Sequence, residues 1–383
     1  MTLFALDDEA CARLAERHGT PLFAYHAPSV RRAYESLRAA LPERVRIAYA
    51  VKANPHPSLL RLIGELGAAF DCASIGELER FAALEVAPGR LYFAGPGKRT
   101  AELVRGLELG ARFQAEGWED LSRLDALVRS ELAVNLRVHP RGGVEERNRI
   151  IGGAGPSAFG IDEEDLPEIV ERARALKHVR IRGLHVFAAS NERDAERLLA
   201  THAMVLELAR GMQAMLDRPL EEVDLGGGLG VPYAEEETPL DLQRFGLGLR
   251  DLLAANPWFE GRLVMEPGRF LAASSGTYLA RVVRVKDSRG ARFLVLEGGI
   301  NHLMRPLLVG QPFPARAVGR SGPTRQVTLA GPLCTSLDRL GEVDLPDCVP
   351  GDLLVFGTTG AYGSTEAMTG FLSHPPATEV WID

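Results

Sequence analysis

Through the first two thirds of the chain, short apolar runs alternate with longer stretches in which apolar residues recur every third or fourth position. The runs "RIAYAV" (46–51), "AAFDCA" (68–73), "RLYFAG" (90–95) and "ARFQAE" (111–116) read as strands. So do "LAVNLRV" (132–138), "IRGLHVF" (181–187), "EEVDLGG" (221–227) and "RLVMEPG" (262–268). Between them lie helical patterns such as "IGELERFAALE" (75–85) and "DAERLLATHAMVLELARGMQAML" (194–216). Eight strand–helix repeats over roughly 250 residues predict an α/β fold of the (β/α)8 TIM-barrel type. A doubly wound open sheet gives the same alternation and is the competing architecture.

Beyond residue 270 the pattern changes. "GTYLARVVRVKDSRGARFLVLEGGI" reads as two strands around a turn at Ser288–Arg289–Gly290, and "TRQVTLAG", "DLLVFG" and "TEVWID" add further short strands. An all-β domain is expected at the C-terminus. The expected divisions are residues 1–24, an N-terminal segment whose helix near 7–18 packs on the β domain; 25–272, the barrel; and 273–383, the β domain.

Composition narrows the function. Of 383 residues 46% are hydrophobic and 25% charged, as in ordinary globular proteins. A net charge of −7 without a basic run argues against nucleic-acid binding. Four cysteines with no C-x-x-C pair are not a disulfide framework. The N-terminus carries acids where a signal peptide needs bases, and no run reaches membrane-spanning length. A cytoplasmic protein is expected.

Candidate chemistry gathers at the C-terminal ends of predicted strands, where barrel active sites form. In "RIAYAVKANPHPSLLRLI", Lys52 follows a buried strand directly; it either reaches back to water or is used in a pocket. "DLGGGLGVPY" (224–233) places Gly226, Gly227, Gly228 and Gly230 after a strand. Bare backbone N–H groups there suit a phosphate, or merely make a tight corner, and the spacing is not a dinucleotide fingerprint. "VMEPGRF" (264–270) delivers Glu266 to the barrel mouth, with Gly268 and Arg269 behind it. In the β domain, "LAGPLCTSLDRLG" (329–341) carries Cys334 and Asp338, and "TTGAYGSTEA" (358–367) sets Tyr362 between small residues.

Taken in order, "YAVKAN", "FDCASIGEL", "DLGGGLGVPY", "EPGRF", "GPLC" with Asp338 four residues on, and "GDLLVFGTTGAYG" resemble the fold-type III pyridoxal-phosphate-dependent decarboxylases, relatives of the diaminopimelate and ornithine decarboxylases with an alanine-racemase-like fold. The resemblance spans about residues 20 to 380. It implies pyridoxal 5'-phosphate as cofactor, with Lys52 as the Schiff-base lysine and Glu266 on the pyridine nitrogen, strengthening the ring as an electron sink. It implies Ser190, Gly226, Gly227, Gly228, Gly268, Arg269 and Tyr362 as cofactor-binding residues, and Cys334 as the group returning a proton to Cα. Arg305, Thr335 and Asp338 are implied on the substrate side. Cys334 and Asp338 are expected to come from a partner copy, so a homodimer with shared sites is implied.

Three departures shape the substrate expectation. Phe187 stands where the family has a ring-stacking histidine; it can stack but cannot titrate, and the stacking role is not carried to His185. Thr335 replaces the glutamate with which diaminopimelate decarboxylases read a distal ammonium, forfeiting about 1.5–3 kcal/mol of charge-assisted bonding. Val309 replaces a tyrosine near Arg305. "GPLCTSLD" and "GFLSHPPATEV" look more like a specialised branch that includes secondary-metabolism and exosortase-linked enzymes and one acting on a carrier-tethered glutamyl group. The expected activity is decarboxylation of an amino acid, free or carrier-tethered, other than meso-diaminopimelate. The alternatives are diaminopimelate decarboxylase, an amino-acid racemase, which Glu266 argues against, and a non-catalytic homologue.

Overall fold

The computed structural model describes residues 2–84, 86–87, 89–141 and 155–383. The chain forms two compact units, one comprising Tyr34–Gly230 with Leu240–Gly268, the other the N-terminal segment to Ala33 with Val231–Pro239 and Arg269–Asp383.

In the first unit all eight expected strands are present: Val45–Ala50, Ala69–Cys72, Leu91–Phe93, Arg112–Ala115, Leu132–His139, Val179–His185, Glu222–Asp224 and Arg262–Met265. Each is parallel to the next. The last pairs with the first, Met265 opposite Ile47, so the ring closes and the open-sheet alternative is excluded. These strands are short and apolar because helices cover the outside of a parallel barrel while side chains fill its interior. Ala48, Ala69, Tyr92 and Val264 form one such buried cluster.

The helical expectations hold with one difference. Helix Ala195–Leu216 starts where the Asp194 carboxylate accepts the Glu196 and Arg197 N–H groups, and stops at Asp217 in the left-handed conformation. Segment 75–85 is α-helical only over Ile75–Glu79. Beyond it the N–H groups of Arg80, Phe81 and Ala82 bond three residues back, a tighter winding that brings Phe81 to 4.4 Å from Phe70. Residue 85 lies outside the described residues. Among them, no helix is long and apolar enough to cross a membrane.

The second unit is mainly β. The expected hairpin is formed by Gly276–Ser288 and Ala291–Leu296, antiparallel. The sheet runs Ala315–Ala317, Leu353–Phe356, Gly276–Ser288, Ala291–Leu296, Arg325–Ala330, Arg339–Leu345. Strand Leu22–His26 joins it, Leu22 opposite Leu279 on one side and Thr378 on the other. Helix Asp8–His18 buries Cys11 and Ala15, one turn apart, against Leu22, Leu279, Leu353 and Val355.

Candidate active site

Lys52 sits in a single 3-10 turn, Val51–Ala53, directly after the first barrel strand. Its Nζ lies 3.7 Å from Asp71 Oδ2 and 4.9 Å from the centre of the Phe187 ring. Gly268 makes this turn possible: a Cβ there would meet those of Ala53 at 2.9 Å and Ala50 at 3.1 Å.

Beneath the lysine is a buried acid cluster. Glu266, just past the last strand, is 3% exposed and approaches His185 Nε2 at 3.4 Å, an ion-pair distance without hydrogen-bond alignment. Gln114 Nε2 donates to Asp224 Oδ2 at 2.9 Å and to Glu266 Oε1 at 3.3 Å. Burial alone would raise the Glu266 pKa, but positive charge on His185 and Lys52 holds it down to about 2. Asp224 is pushed well up by burial and by Glu266, and Asp71 to about 7 for the same two reasons, partly offset by Lys52. Glu266 and Asp224, shifted in opposite directions, thus share one buried polar layer. His185, Asp224 and Glu266 bring donor atoms within 4.8 Å of one another, close enough to share one cation or one protonated ring nitrogen. Both His185 nitrogens, Gln114 Oε1 and Asp71 Oδ1 are buried without a hydrogen-bond partner, at a cost of about 1–3 kcal/mol for each one left so.

The glycine turn has the geometry of an anion cradle, with a division of labour. Gly226 and Gly228 have positive φ, 68° and 104°, and a Cβ on either would come within 2.5 Å of Val186 O or Ala189 Cβ. The Gly226 N–H is taken by Asp224 Oδ1 at 2.9 Å. Those of Gly227 and Gly228 have no protein acceptor among the described residues. Ser190 is half-buried, three residues beyond Phe187.

Within the second unit, Arg269, Arg305 and Tyr362 come together. The Tyr362 ring lies between two guanidinium groups, 4.6 Å from Arg269 Cζ and 5.1 Å from Arg305 Cζ. Arg269 also donates to the Tyr233 hydroxyl at 2.7 Å, and Arg305 to Glu366 at 2.9 Å. Both arginines are buried. Tyr362 itself has φ 58°, a left-handed conformation disfavoured in side-chain-bearing residues and concentrated at functional sites.

Cys334 is exposed in its loop, and the Thr335 hydroxyl accepts the Leu337 N–H. Asp338 has a further duty. Its carboxylate is buried and accepts the N–H groups of Ile300 and Leu333, each at 2.7 Å. Gly299 and Gly331 press against it so closely that a Cβ on either would overlap its oxygens. In this chain the acid therefore holds the Cys334 loop from inside.

Asp71, Gln114, Asp224 and Tyr233 were not singled out from the sequence. Three of them, Asp71, Gln114 and Asp224, are polar residues inside strand runs, a signal that could have found them.

A closed barrel with an amine, a buried carboxylate layer and a glycine cradle at the C-terminal ends of its strands defines a cofactor-dependent enzyme of the (β/α)8 class. A family model described as "Pyridoxal-dependent decarboxylase, pyridoxal binding domain" matches residues 27–273, and the chain belongs to that family. It is 34% identical over 392 residues to diaminopimelate decarboxylase of Pseudomonas aeruginosa, covering 100% of this chain and 92% of the relative. It is 29% identical to the L-glutamyl-[BtrI acyl-carrier protein] decarboxylase of Niallia circulans, covering 98% and 91%. Among solved structures, diaminopimelate decarboxylase from Helicobacter pylori complexed with L-lysine superimposes with a TM-score of 0.89 at 27% identity, covering 97% of this chain and 94% of that one. The chain is a carboxy-lyase acting on an amino-acid substrate, and its cofactor is pyridoxal 5'-phosphate.

Proposed function

We propose that this enzyme decarboxylates an α-amino acid, free or tethered to a carrier, other than meso-diaminopimelate. The residues of the barrel mouth fit the cofactor. Lys52 offers the amine for its aldehyde carbon, and Glu266, the ionised member of the acid layer, suits a protonated pyridine nitrogen. Phe187 offers an apolar face beside Lys52, and the N–H groups of Gly227 and Gly228 suit its phosphate, with Ser190, Arg269 and Tyr362 as further binding residues. Bound pyridoxal phosphate supplies a ring that takes up the electron pair left when CO2 departs. Glu266 keeps the proton on the ring nitrogen, which maintains that capacity. The Cys334 thiol gives its proton to Cα afterwards.

In this reading Cys334 reaches the site of a partner copy, making the active form a homodimer. Its exposure, with Leu337, Leu307 and Leu308 exposed on the same unit, supports that arrangement.

The observation that carries the substrate reading is the Arg305–Glu366 ion pair. A distal carboxylate must displace Glu366 to bond Arg305, and Thr335 offers no charge to a distal ammonium. Both charged groups at the distal end of diaminopimelate are therefore poorly met. The test is CO2 release by holoenzyme from a panel of free amino acids and carrier-tethered aminoacyl groups. The reading expects a preferred substrate other than meso-diaminopimelate; meso-diaminopimelate turned over best of all would overturn it. Replacing Glu366 with Gln is expected to lower KM for substrates with a distal carboxylate, and an unchanged KM would remove Arg305 from that role.

A further inference from the structure

At the opposite end of the barrel from Lys52, where the strands begin, lies a second polar constellation that the decarboxylase chemistry does not use. Arg46, Arg112 and Arg182, each carried by a different barrel strand, line with Glu222 a cavity of about 860 Å³. Glu222 is buried, and its two oxygens accept from the Tyr92 hydroxyl at 3.0 Å, Arg112 at 3.0 Å, Asn135 at 2.9 Å and Arg182 at 3.3 Å. That carboxylate has no capacity left. Among the described residues Arg46 reaches no acid; its NH1 donates to the Gly89 carbonyl at 3.1 Å and, at 3.4 Å, to the Tyr92 hydroxyl.

Two guanidinium groups therefore share one carboxylate, and the third, Arg46, stands beside them without an acid among the described residues. The whole lining repeats the imbalance, with six arginines against four glutamates. Of the other three acids, Glu221 is held by Arg180, whereas Glu43 and Glu260 stand on the exposed rim. A concave, protein-walled surface with surplus positive charge focuses its field on an anion. Each guanidinium presents five N–H donors in a planar fork, and Arg46 commits only one of its nitrogens to a protein acceptor. Such forks match the oxygens of a tetrahedral dianion two at a time.

We propose that this floor cavity is a binding site for a phosphate dianion, either inorganic phosphate or the phosphate of a monoester, separate from the site of the cofactor's own phosphate. Arg46 and Arg112 make the contacts, and Glu222 with Tyr92 and Asn135 holds the floor in shape.

The test is calorimetric titration of cofactor-loaded enzyme, whose phosphate cradle is already filled, at constant ionic strength with chloride as the balancing anion. Inorganic phosphate and glycerol 3-phosphate distinguish the two sources of the dianion, and succinate is the carboxylate control. Saturable binding of at least one phosphate is expected, weakened at least tenfold in Arg46→Gln and in Arg112→Gln, with CO2 release retained by both. Arg46→Gln carries the argument if Arg112→Gln misfolds, because Arg46 pairs with no acid among the described residues. Heat that does not saturate, equal binding by wild type and Arg46→Gln, or succinate binding as tightly as phosphate would each overturn the proposal.

Discussion

Replacing Asp338 tests the claim that the Cys334 loop is built on a buried carboxylate. In Asp338→Ala the N–H groups of Ile300 and Leu333 lose acceptors that now lie at 2.7 Å. Each orphaned buried donor costs about 1–3 kcal/mol, so the pair predicts roughly 2–6 kcal/mol. Asp338→Asn keeps one carbonyl oxygen for one donor but turns its amide N–H₂ toward the other, and about 2 kcal/mol is expected. A local loss of 3 kcal/mol accelerates amide exchange on the order of a hundredfold. Hydrogen exchange by mass spectrometry on peptides containing Ile300 and Leu333 reads this directly, with barrel peptides as the internal control. KM and kcat are measured alongside. A scaffolding acid predicts faster exchange in both peptides and a fall in kcat as Cys334 loses its position. Unchanged exchange with a raised KM would refute the reasoning and return Asp338 to the substrate.

Two further outcomes follow from the barrel mouth. Gly228→Ala forces φ near 104° on a residue with a Cβ and sets that carbon 2.5 Å from the Ala189 Cβ; cofactor affinity by fluorescence titration is expected to fall at least tenfold, and unchanged affinity would remove this turn from the cradle. Glu266, held at about 2 when folded against an ordinary value near 4.3, predicts an acid limb. The unfolded chain takes up the proton first, so stabilisation by Glu266 is complete above about pH 4.3 and lost as pH falls toward 2, on the order of 3 kcal/mol in all. Urea unfolding of cofactor-free protein should show wild type losing stability relative to Glu266→Gln across that window; a pH-independent difference would contradict the assignment.

The barrel was legible because its strands are continuous short apolar runs separated by helical periodicity, and all eight runs pair in the closed ring. Lys52, Glu266 and the glycine turn were legible because they end such runs. Asp71, Gln114 and Asp224 lie within runs, where one letter does not say whether a side chain points into the barrel or out. The stacking of Tyr362 between Arg269 and Arg305 joins residues far apart in the chain, and no local pattern encodes it. Asp338 is a different case. Its place in a recognisable motif suggested chemistry, and the two backbone N–H groups that it accepts add a structural duty that the motif does not reveal. Residues 231–239, which belong with the β-rich unit although flanked by barrel sequence, carry no compositional mark of that excursion.

The central claim is that Lys52 is the amine that holds the cofactor. Borohydride reduction of purified holoenzyme, followed by peptide mass spectrometry, tests it most directly. A pyridoxyl label on the peptide containing Lys52, absent from Lys52→Ala together with the visible absorption and CO2 release, is the predicted result. A label on another lysine, or a Lys52→Ala variant that keeps both its colour and its activity, would contradict the account.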